Sequence, residues 1–261
     1  MDPEASRSGL DTGSPIRHIA RDVVGSTNSE ALALARAGEP VPFWMTARTQ
    51  TAGRGRRGRS WVSPPGNLYA TLLLRDPSLP AIAPQLSFVA ALAVHDAVTV
   101  FKTLDVPLVL KWPNDVIFCN AKLAGVLIEG EGTPLIVAIG IGINCAHHPG
   151  DTDQPATDLH AQGINAAPAE LFAALSVATA RRLRQWDRGH GFAAIRVDWL
   201  ARAHAPGSEL KVRLPERVLR GRFTALDESG RLLLRLPDGS IETITAGDVF
   251  PSRSTDVPAT T

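Results

Sequence analysis

The spacing of apolar positions divides the chain into two textures that meet at Pro206-Gly207. Before that point, helix-like and strand-like periods alternate. After Ile16–Val24, Thr27-Asn28-Ser29-Glu30 has the Thr-x-x-Glu form of a capping box, and an Ala/Leu-rich run ends at Gly38, which predicts a helix over about Asn28 to Ala37. Phe43 to Ala47 reads as a strand, and Leu68 to Leu74 as a nearly continuous apolar run of the buried-strand kind. Pro84 suits a first helical turn, and Leu86, Val89, Ala90, Ala93, Ala97 and Phe101 then fall on one face. Four further strands are predicted, over Leu108 to Lys111, Val116 to Cys119, Lys122 to Glu129 and Leu135 to Ile143. Two helices follow: one opens at Pro168 with Phe172, Leu175, Leu183 and Trp186 on a face, and one runs from Phe192 to Ala203.

Beyond Pro206-Gly207 the period becomes two. Glu209 to Leu214, Val218 to Leu226, Arg231 to Leu236 and Ser240 to Thr245 alternate around the turn segments Asp227-Glu228-Ser229-Gly230 and Pro237-Asp238-Gly239. That predicts a small all-β unit the size of an SH3-like barrel. The chain therefore reads as a tail over 1–15, a catalytic-sized unit over 16–204, the β unit over 205–250 and a second tail over 251–261.

Composition narrows the options. Of 261 residues 44% are hydrophobic and 20% charged, an ordinary globular balance, and the formal net charge is only +1. Cys119 and Cys145 fit neither a zinc spacing nor a disulfide framework, which favours a reducing compartment. The first 15 residues lack the apolar segment of a secretory signal, and no apolar run approaches the roughly 20 residues of a membrane span. The expectation is a cytoplasmic protein with no membrane partner.

Against that neutral background one stretch stands out. Gly53-Arg54-Gly55-Arg56-Arg57-Gly58-Arg59 alternates pliable backbone with planar, permanently charged forks, and Ser60 and Trp61 follow. Between Arg48 and Arg75 the chain has six arginines and no acidic residue, so its positive charge is local, as for a specific anion site. The loop is expected to be neither helix nor strand. Around it stand Gln50, Lys111, Lys122 and the pair Asn114-Asp115, whose oxygens suit Mg²⁺ beside substrate phosphates and equally suit a plain turn. Gly140-Ile141-Gly142-Ile143-Asn144 is no dinucleotide fingerprint, because Cys145 occupies the third glycine position, but glycines in a strand mark close approach by a ligand or another part of the chain. His147, His148, Asp151 and Asp153 have no metal-ligand spacing and read as a solvated loop. Cations without an obvious nucleophile or general base point to catalysis by positioning and charge stabilisation, as in nucleotidyl transfer.

Four segments together resemble the bacterial biotin protein ligases: Ser26-Thr27-Asn28; Gln50 with Gly53 to Arg59 and Trp61; Lys111-Trp112-Pro113-Asn114-Asp115; and Lys122-Leu123-Ala124-Gly125 followed by Glu129. Gly142 and Asn144 stand at the family's Gly-Ile-Asn element, and the likeness reaches through Gly221-Arg222-Phe223. The resemblance implies an α+β fold: a mixed β-sheet flanked by helices, of the class II aminoacyl-tRNA synthetase and biotin protein ligase type, with a small C-terminal SH3-like barrel. It implies that biotin and ATP form biotinyl-5′-AMP and pyrophosphate, and that a lysine of a biotin carboxyl carrier protein then takes the biotin. In that scheme Ser26, Thr27, Asn28, Gln50, Gly53, Arg54, Gly55, Arg56, Lys122 and Gly125 contact biotin. Arg56, Arg59, Trp61, Lys111, Asn114, Asp115 and Asn144 serve ATP and the adenylate, and Asp115 is the candidate Mg²⁺ ligand. Lys122, Arg56 and Lys111 are the catalytic cations, and no tightly bound prosthetic group is implied. Some members carry an N-terminal helix-turn-helix; about 15 residues precede the matching segment here, too few for one, so no DNA partner is expected.

Two rival readings remain. A lipoate–protein ligase shares the adenylation chemistry but not the combination of motifs. A nucleic-acid-binding protein would use the Arg/Gly loop with Trp61 stacking on bases, and its binding would fall steeply with salt. A homodimer and a monomer are equally compatible with the sequence, and Arg222 can serve either ATP or the acceptor.

Overall fold

The computed structural model describes residues 16–101, 107–150, 152 and 154–251. The tail expected over 1–15, like Asp151 and Asp153, lies outside the described residues, and so does the tail expected over 251–261 except for Pro251, which is strand.

The first unit is built on strands β1 (Arg17–Val24), β2 (Phe43–Gln50), β3 (Leu68–Arg75), β4 (Val109–Lys111), β5 (Asp115–Phe118), β6 (Ala121–Glu131) and β7 (Ile136–Ile143). They form one seven-stranded sheet in the order β1-β2-β3-β7-β6-β5-β4. The β1–β2 pair is parallel and the others antiparallel, so the sheet is mixed, as the resemblance implied. Its helices are α1 (Thr27–Arg36), α2 (Leu86–Thr99), α3 (Pro168–Trp186) and α4 (Phe192–Leu200). Successive residues of β2 show how the sheet is clothed. Phe43 and Met45 join Ala31 and Leu32 of α1 on one face, while Trp44 joins the larger core of α2, α3 and α4 on the other. The central strand β7 is apolar throughout because both of its faces are covered.

Several boundaries shift. Helix α1 begins one residue earlier than predicted, with Ser26 at its N-cap, and the capping box is not made: the Thr27 hydroxyl donates to Gln50 Oε1 at 3.2 Å. Strand β2 runs on to Gln50, and α4 stops at Leu200. Strand β1 has no signature in the periodicity because it is an edge strand, exposed along most of its length.

The second unit is a five-stranded antiparallel sheet of β8 (Glu209–Arg213), β9 (Val218–Leu226), β10 (Leu232–Arg235), β11 (Ile241–Ile244) and β12 (Asp248–Pro251), in the order β11-β10-β9-β8-β12. Four of these strands match the predicted runs within a residue or so, and β12 was not predicted. Leu210, Val212, Phe223, Leu226, Leu232, Leu234, Ile244 and Val249 belong to the same continuous core as α2 and α4. The seam is polar at one point, where Trp112 Nε1 donates to Gly230 O at 2.9 Å inside the core. Gly230 has φ +84°, and a Cβ there would stand 2.9 Å from Phe88 and 3.0 Å from Phe192. Gly230→Ala combines a disfavoured backbone with overpacking against two rings, so urea unfolding should show a loss of about 2–3 kcal/mol. A change below about 0.5 kcal/mol, the usual range for a surface substitution, would mean the two units are not packed together as described.

Candidate active site

Two hairpins and one bulge assemble the cationic centre. In the β4–β5 hairpin Lys111 stands opposite Asp115 across the Trp112-Pro113-Asn114 turn, and directly opposed residues of an antiparallel pair share a face. Strand β6 brings Gly125 opposite Asp115. Lys122, three residues from Gly125, would face the other way on a regular strand. The register shifts between Val116 and Ile117, with Leu123 as the extra residue, and this bulge turns Lys122 onto the same face. Leu123 and Ala124 are accordingly both buried in succession.

The result is a carboxylate held between two ammonium groups. Lys111 Nζ lies 2.9 Å from Asp115 Oδ2 and Lys122 Nζ 2.7 Å from Oδ1. Both carboxylate oxygens of Asp115 are thus met by an ammonium group. Burial works to raise the Asp115 pKa, but the two lysines outweigh it and bring it down to about 2. Lys111, only 6% exposed, is shifted below the ordinary lysine range, chiefly by burial and against the pull of Asp115. Its ammonium also donates to Gln154 Oε1.

A second, neutral polar group stands at the start of α1. Gln50 Oε1 accepts from the Thr27 backbone N–H at 2.9 Å, and Gln50 Nε2 donates to Ser63 Oγ at 2.9 Å. Asn28 Oδ1 accepts from Thr71 Oγ1 at 2.7 Å while its Nδ2 donates to Glu129 Oε2 at 2.8 Å, so the amide orientation is set from both ends. The strand glycines now have their reason. A Cβ at Gly140 would lie 2.4 Å from Asn28 Oδ1, and one at Gly142 would lie 2.6 Å from the Trp61 indole. Gly125, paired with Gly142, completes the flat seat for that indole, and Lys122 Nζ stands 5.2 Å from the ring centroid. The close approach is therefore made by side chains of the chain itself.

The arginine stretch is a tight hairpin with a 3₁₀ turn at Arg56–Gly58, not the irregular loop expected. Trp61 N donates to Gly53 O at 2.8 Å and Gly55 N to Arg59 O at 2.7 Å, with Arg57 and Gly58 at positive φ in the turn. Gly53 is obligatory, since a Cβ would meet Trp61 O at 2.4 Å. Each of the four arginines has a protein partner. Arg54 pairs with Glu129, and Arg56 donates to Asn114 Oδ1 at 3.0 Å and Gly247 O at 3.2 Å. Arg57 and Arg59 both meet Asp248. Burial lowers the Arg56 pKa from its ordinary value.

These groups line one cavity of about 500 Å³, which holds Ser26, Thr27, Asn28, Gln50, Arg54, Gly55, Arg56, Arg59, Trp61, Lys111, Asn114, Asp115, Lys122, Gly125 and Asn144 together. Of the residues that the resemblance assigns to biotin, nucleotide or metal, Gly53 alone is not on its wall. Five cationic side chains against the two carboxylates of Asp115 and Asp248 leave the lining at +3. Asn144 is buried, and its amide donates to Thr157 O at 3.0 Å, which fastens the 154–157 segment beside Lys122. Arg222 pairs with Glu209 and is not on the cavity wall. The C-terminal sheet contributes Gly247, Asp248, Val249 and Phe250 instead, from the strand that periodicity missed. His148 pairs with Asp158 at 2.6 Å, and among the described residues no group of three or more His, Cys, Asp or Glu can hold a metal.

Asp115→Asn would leave two ammonium groups facing each other in a buried site. We expect a loss of about 3 kcal/mol at neutral pH, read by denaturant unfolding. The deficit should shrink as pH rises toward the ordinary lysine value of 10.5, because Lys111 can then shed its proton. In the parent chain Asp115 stabilises fully above the ordinary carboxylate value of 3.8 and loses that contribution as pH falls toward about 2. A variant as stable as the parent across pH 6–9 would contradict this charge balance.

Comparison with known proteins accords with this geometry. Residues 22–144 match the Biotin/lipoate A/B protein ligase family and residues 207–250 the Biotin protein ligase C terminal domain. The biotin--[acetyl-CoA-carboxylase] ligase of Paracoccus denitrificans is 44% identical over 234 residues, covering 86% of this chain and 96% of the relative. Among solved structures, the biotin protein ligase of Aquifex aeolicus in complex with biotin and ATP aligns with a TM-score of 0.77 at 29% identity, over 91% of this chain and 99% of that one. The Leishmania major biotin protein ligase with biotinyl-5-AMP aligns at 0.64 and 28% identity, over 89% and 100%. No helix of the described residues is long and apolar enough to cross a membrane. Sequence, fold and cationic cavity agree, and the chain belongs to the biotin protein ligases.

Proposed function

We propose that the cavity binds biotin and ATP side by side, with a role for each of the residues above. The reading is carried by one observation: the neutral polar group around Gln50 and the ammonium pair on Asp115 line the same cavity. Ser26, Thr27, Asn28 and Gln50 offer donors and acceptors suited to an uncharged ureido ring. Gly125 and the backbone of Arg54-Gly55-Arg56 flank it, while Gly53, off the cavity wall, serves by letting the hairpin close on Trp61 O. Lys122 meets the biotin carboxylate and the α-phosphate, Arg56 and Arg59 take phosphates, and Trp61 supports the adenine. Lys111, Asn114, Asp115 and Asn144 serve the nucleotide and the adenylate. Solved relatives holding biotin with ATP, and biotinyl-5-AMP, support the pairing of ligands.

In the first step a biotin carboxylate oxygen attacks the α-phosphorus, and the bond to the departing pyrophosphate breaks. Two anions have to meet, so the catalytic work of Lys122, Arg56 and Lys111 is to hold positive charge where negative charge gathers in the transition state. In the second step an acceptor lysine amine attacks the anhydride carbonyl, AMP departs and the amine loses its proton. We propose a biotin carboxyl carrier domain as that acceptor. Mg²⁺ enters on the triphosphate as part of the substrate. Asp115, a carboxylate on the cavity wall, is the protein oxygen ligand we propose for it. The rival nucleic-acid reading is disfavoured because the formal net charge is only +1, which leaves no general basic surface.

The test is incubation with biotin, MgATP and a carrier domain, followed by streptavidin blotting and pyrophosphate exchange. The parent should label the carrier, and lipoate should not replace biotin. Lys122→Ala should slow exchange by about 10²–10³-fold, the range for losing one preorganised charge contact. Normal exchange in that variant would remove Lys122 from the chemistry.

A further inference from the structure

A second, much smaller cavity of about 20 Å³ lies at the junction of three segments. Strand β4 gives it Leu110, Lys111 and Trp112, and the end of α4 with the residues after it gives Trp199, Ala203 and His204. The C-terminal sheet closes it with four apolar side chains. Main chain holds the junction together: Leu110 N donates to Arg202 O at 2.8 Å, and Leu110 bridges Ala203, which sets His204 beside β4. Lys111 and Trp112 also stand on the wall of the large cavity, so the small one adjoins the cationic centre.

Two polar atoms on these walls are unaccounted for. Trp199 is 1% exposed, and its Nε1–H has no hydrogen-bond partner among the described residues. His204 Nε2 is equally shut off from solvent and equally without a partner among them. Trp112 differs, because its Nε1–H is taken up by Gly230 O. Buried polar atoms of folded proteins are paired, with protein or with ordered water. Here the chemistry of the two atoms is complementary. An indole nitrogen can only donate, and a neutral imidazole with its proton on Nδ1 can only accept at Nε2. One water does both at once, and the volume suffices, since a water needs about 10–15 Å³ and at least two polar partners.

We propose that this cavity is a water site, in which one ordered water accepts from Trp199 Nε1–H and donates to His204 Nε2, and that His204 so held is a neutral neighbour of Lys111 and not a second cation. Burial lowers the His204 pKa from its ordinary value, and the charge of Lys111 lowers it further. Lys111 is the one other titratable group on the wall. The coupling is mutual, so a protonated His204 would in turn press Lys111 to lose its charge. A neutral ring bound to water leaves the buried ammonium intact. None of this depends on which ligand atoms Lys111 meets.

Two measurements on the full chain test it. A high-resolution crystal structure should show one water within hydrogen-bonding distance of both Trp199 Nε1 and His204 Nε2. A dry cavity, or a water that touches only one of the two atoms, overturns the site. NMR of protein carrying isotope-labelled histidine reads the ring itself, with its signals assigned by their loss in His204→Gln. At neutral pH the ring should be uncharged with its proton on Nδ1, and it should titrate below the ordinary 6.5. A charged ring, or a proton on Nε2, overturns the proposed hydrogen bonds. In Lys111→Met the titration midpoint should rise by about half a pH unit, because a like charge has been removed. An unchanged midpoint means the ring does not feel Lys111, and the second half of the proposal fails. A role in packing alone would fix neither the tautomer nor the response to Lys111→Met.

Discussion

Everything in the site is arranged around a buried carboxylate between two lysines. Removing Asp115, Lys111 and Lys122 from water is costly for each group alone, and the arrangement survives because the three are brought together with their charges opposed. That requirement explains details which otherwise look unrelated. The β4–β5 turn has to set Lys111 and Asp115 face to face, and β6 has to carry one residue too many so that Lys122 arrives on the same side. The centre nevertheless keeps a net positive charge. With two ammonium groups on one carboxylate and three arginines on the same wall, the group can be folded around and still carries positive charge for an anion to meet.

The same principle governs the arginine hairpin. Its four cations sit beside two lysines, yet the chain as a whole is almost neutral. The structure resolves this by local pairing: Glu129 answers Arg54, Asp115 answers the lysines, and Asp248 answers Arg57 and Arg59. Glu129 reaches further, because its other contact fixes the amide of Asn28. The entry of the cationic hairpin and the polar end of the cavity therefore share one carboxylate. A displacement of Arg54 is felt at Asn28 through a single side chain.

Much of this was legible before the structure. Period two and period 3.6 locate most strands and helices, since those elements bury one face against a core and leave the other wet. The elements that escaped are those without that contrast: β1, an exposed edge, and β12, a strand of only four residues. The site residues could be named because the motifs place unusual side chains at fixed spacing, but Asp115 was read as part of the turn and not as the strand residue facing Lys111. The third member of that group was not derivable, because a bulge at Leu123 leaves no mark in the composition of Lys122-Leu123-Ala124-Gly125. Thr27-x-x-Glu30 misled for a physical reason: the hydroxyl that a capping box would use had a better partner in Gln50.

The glycines show how local and distant constraints meet. Gly140 and Gly142 pointed to close approach, and the distances identify Asn28 and Trp61 as the groups that approach. Any side chain on either glycine would push one of these into the cavity. Asn28 is fixed by Thr71 and Glu129, and the Trp61 indole by two opposed glycines, so neither can retreat without disturbing the sheet or the hairpin. The floor of the cavity is thus held rigid while its roof is held by ion pairs to exposed arginines, which are individually weak. A rigid floor with an exchangeable roof is what a site needs when it must make a reactive anhydride, shield it from water and then release it to a second substrate.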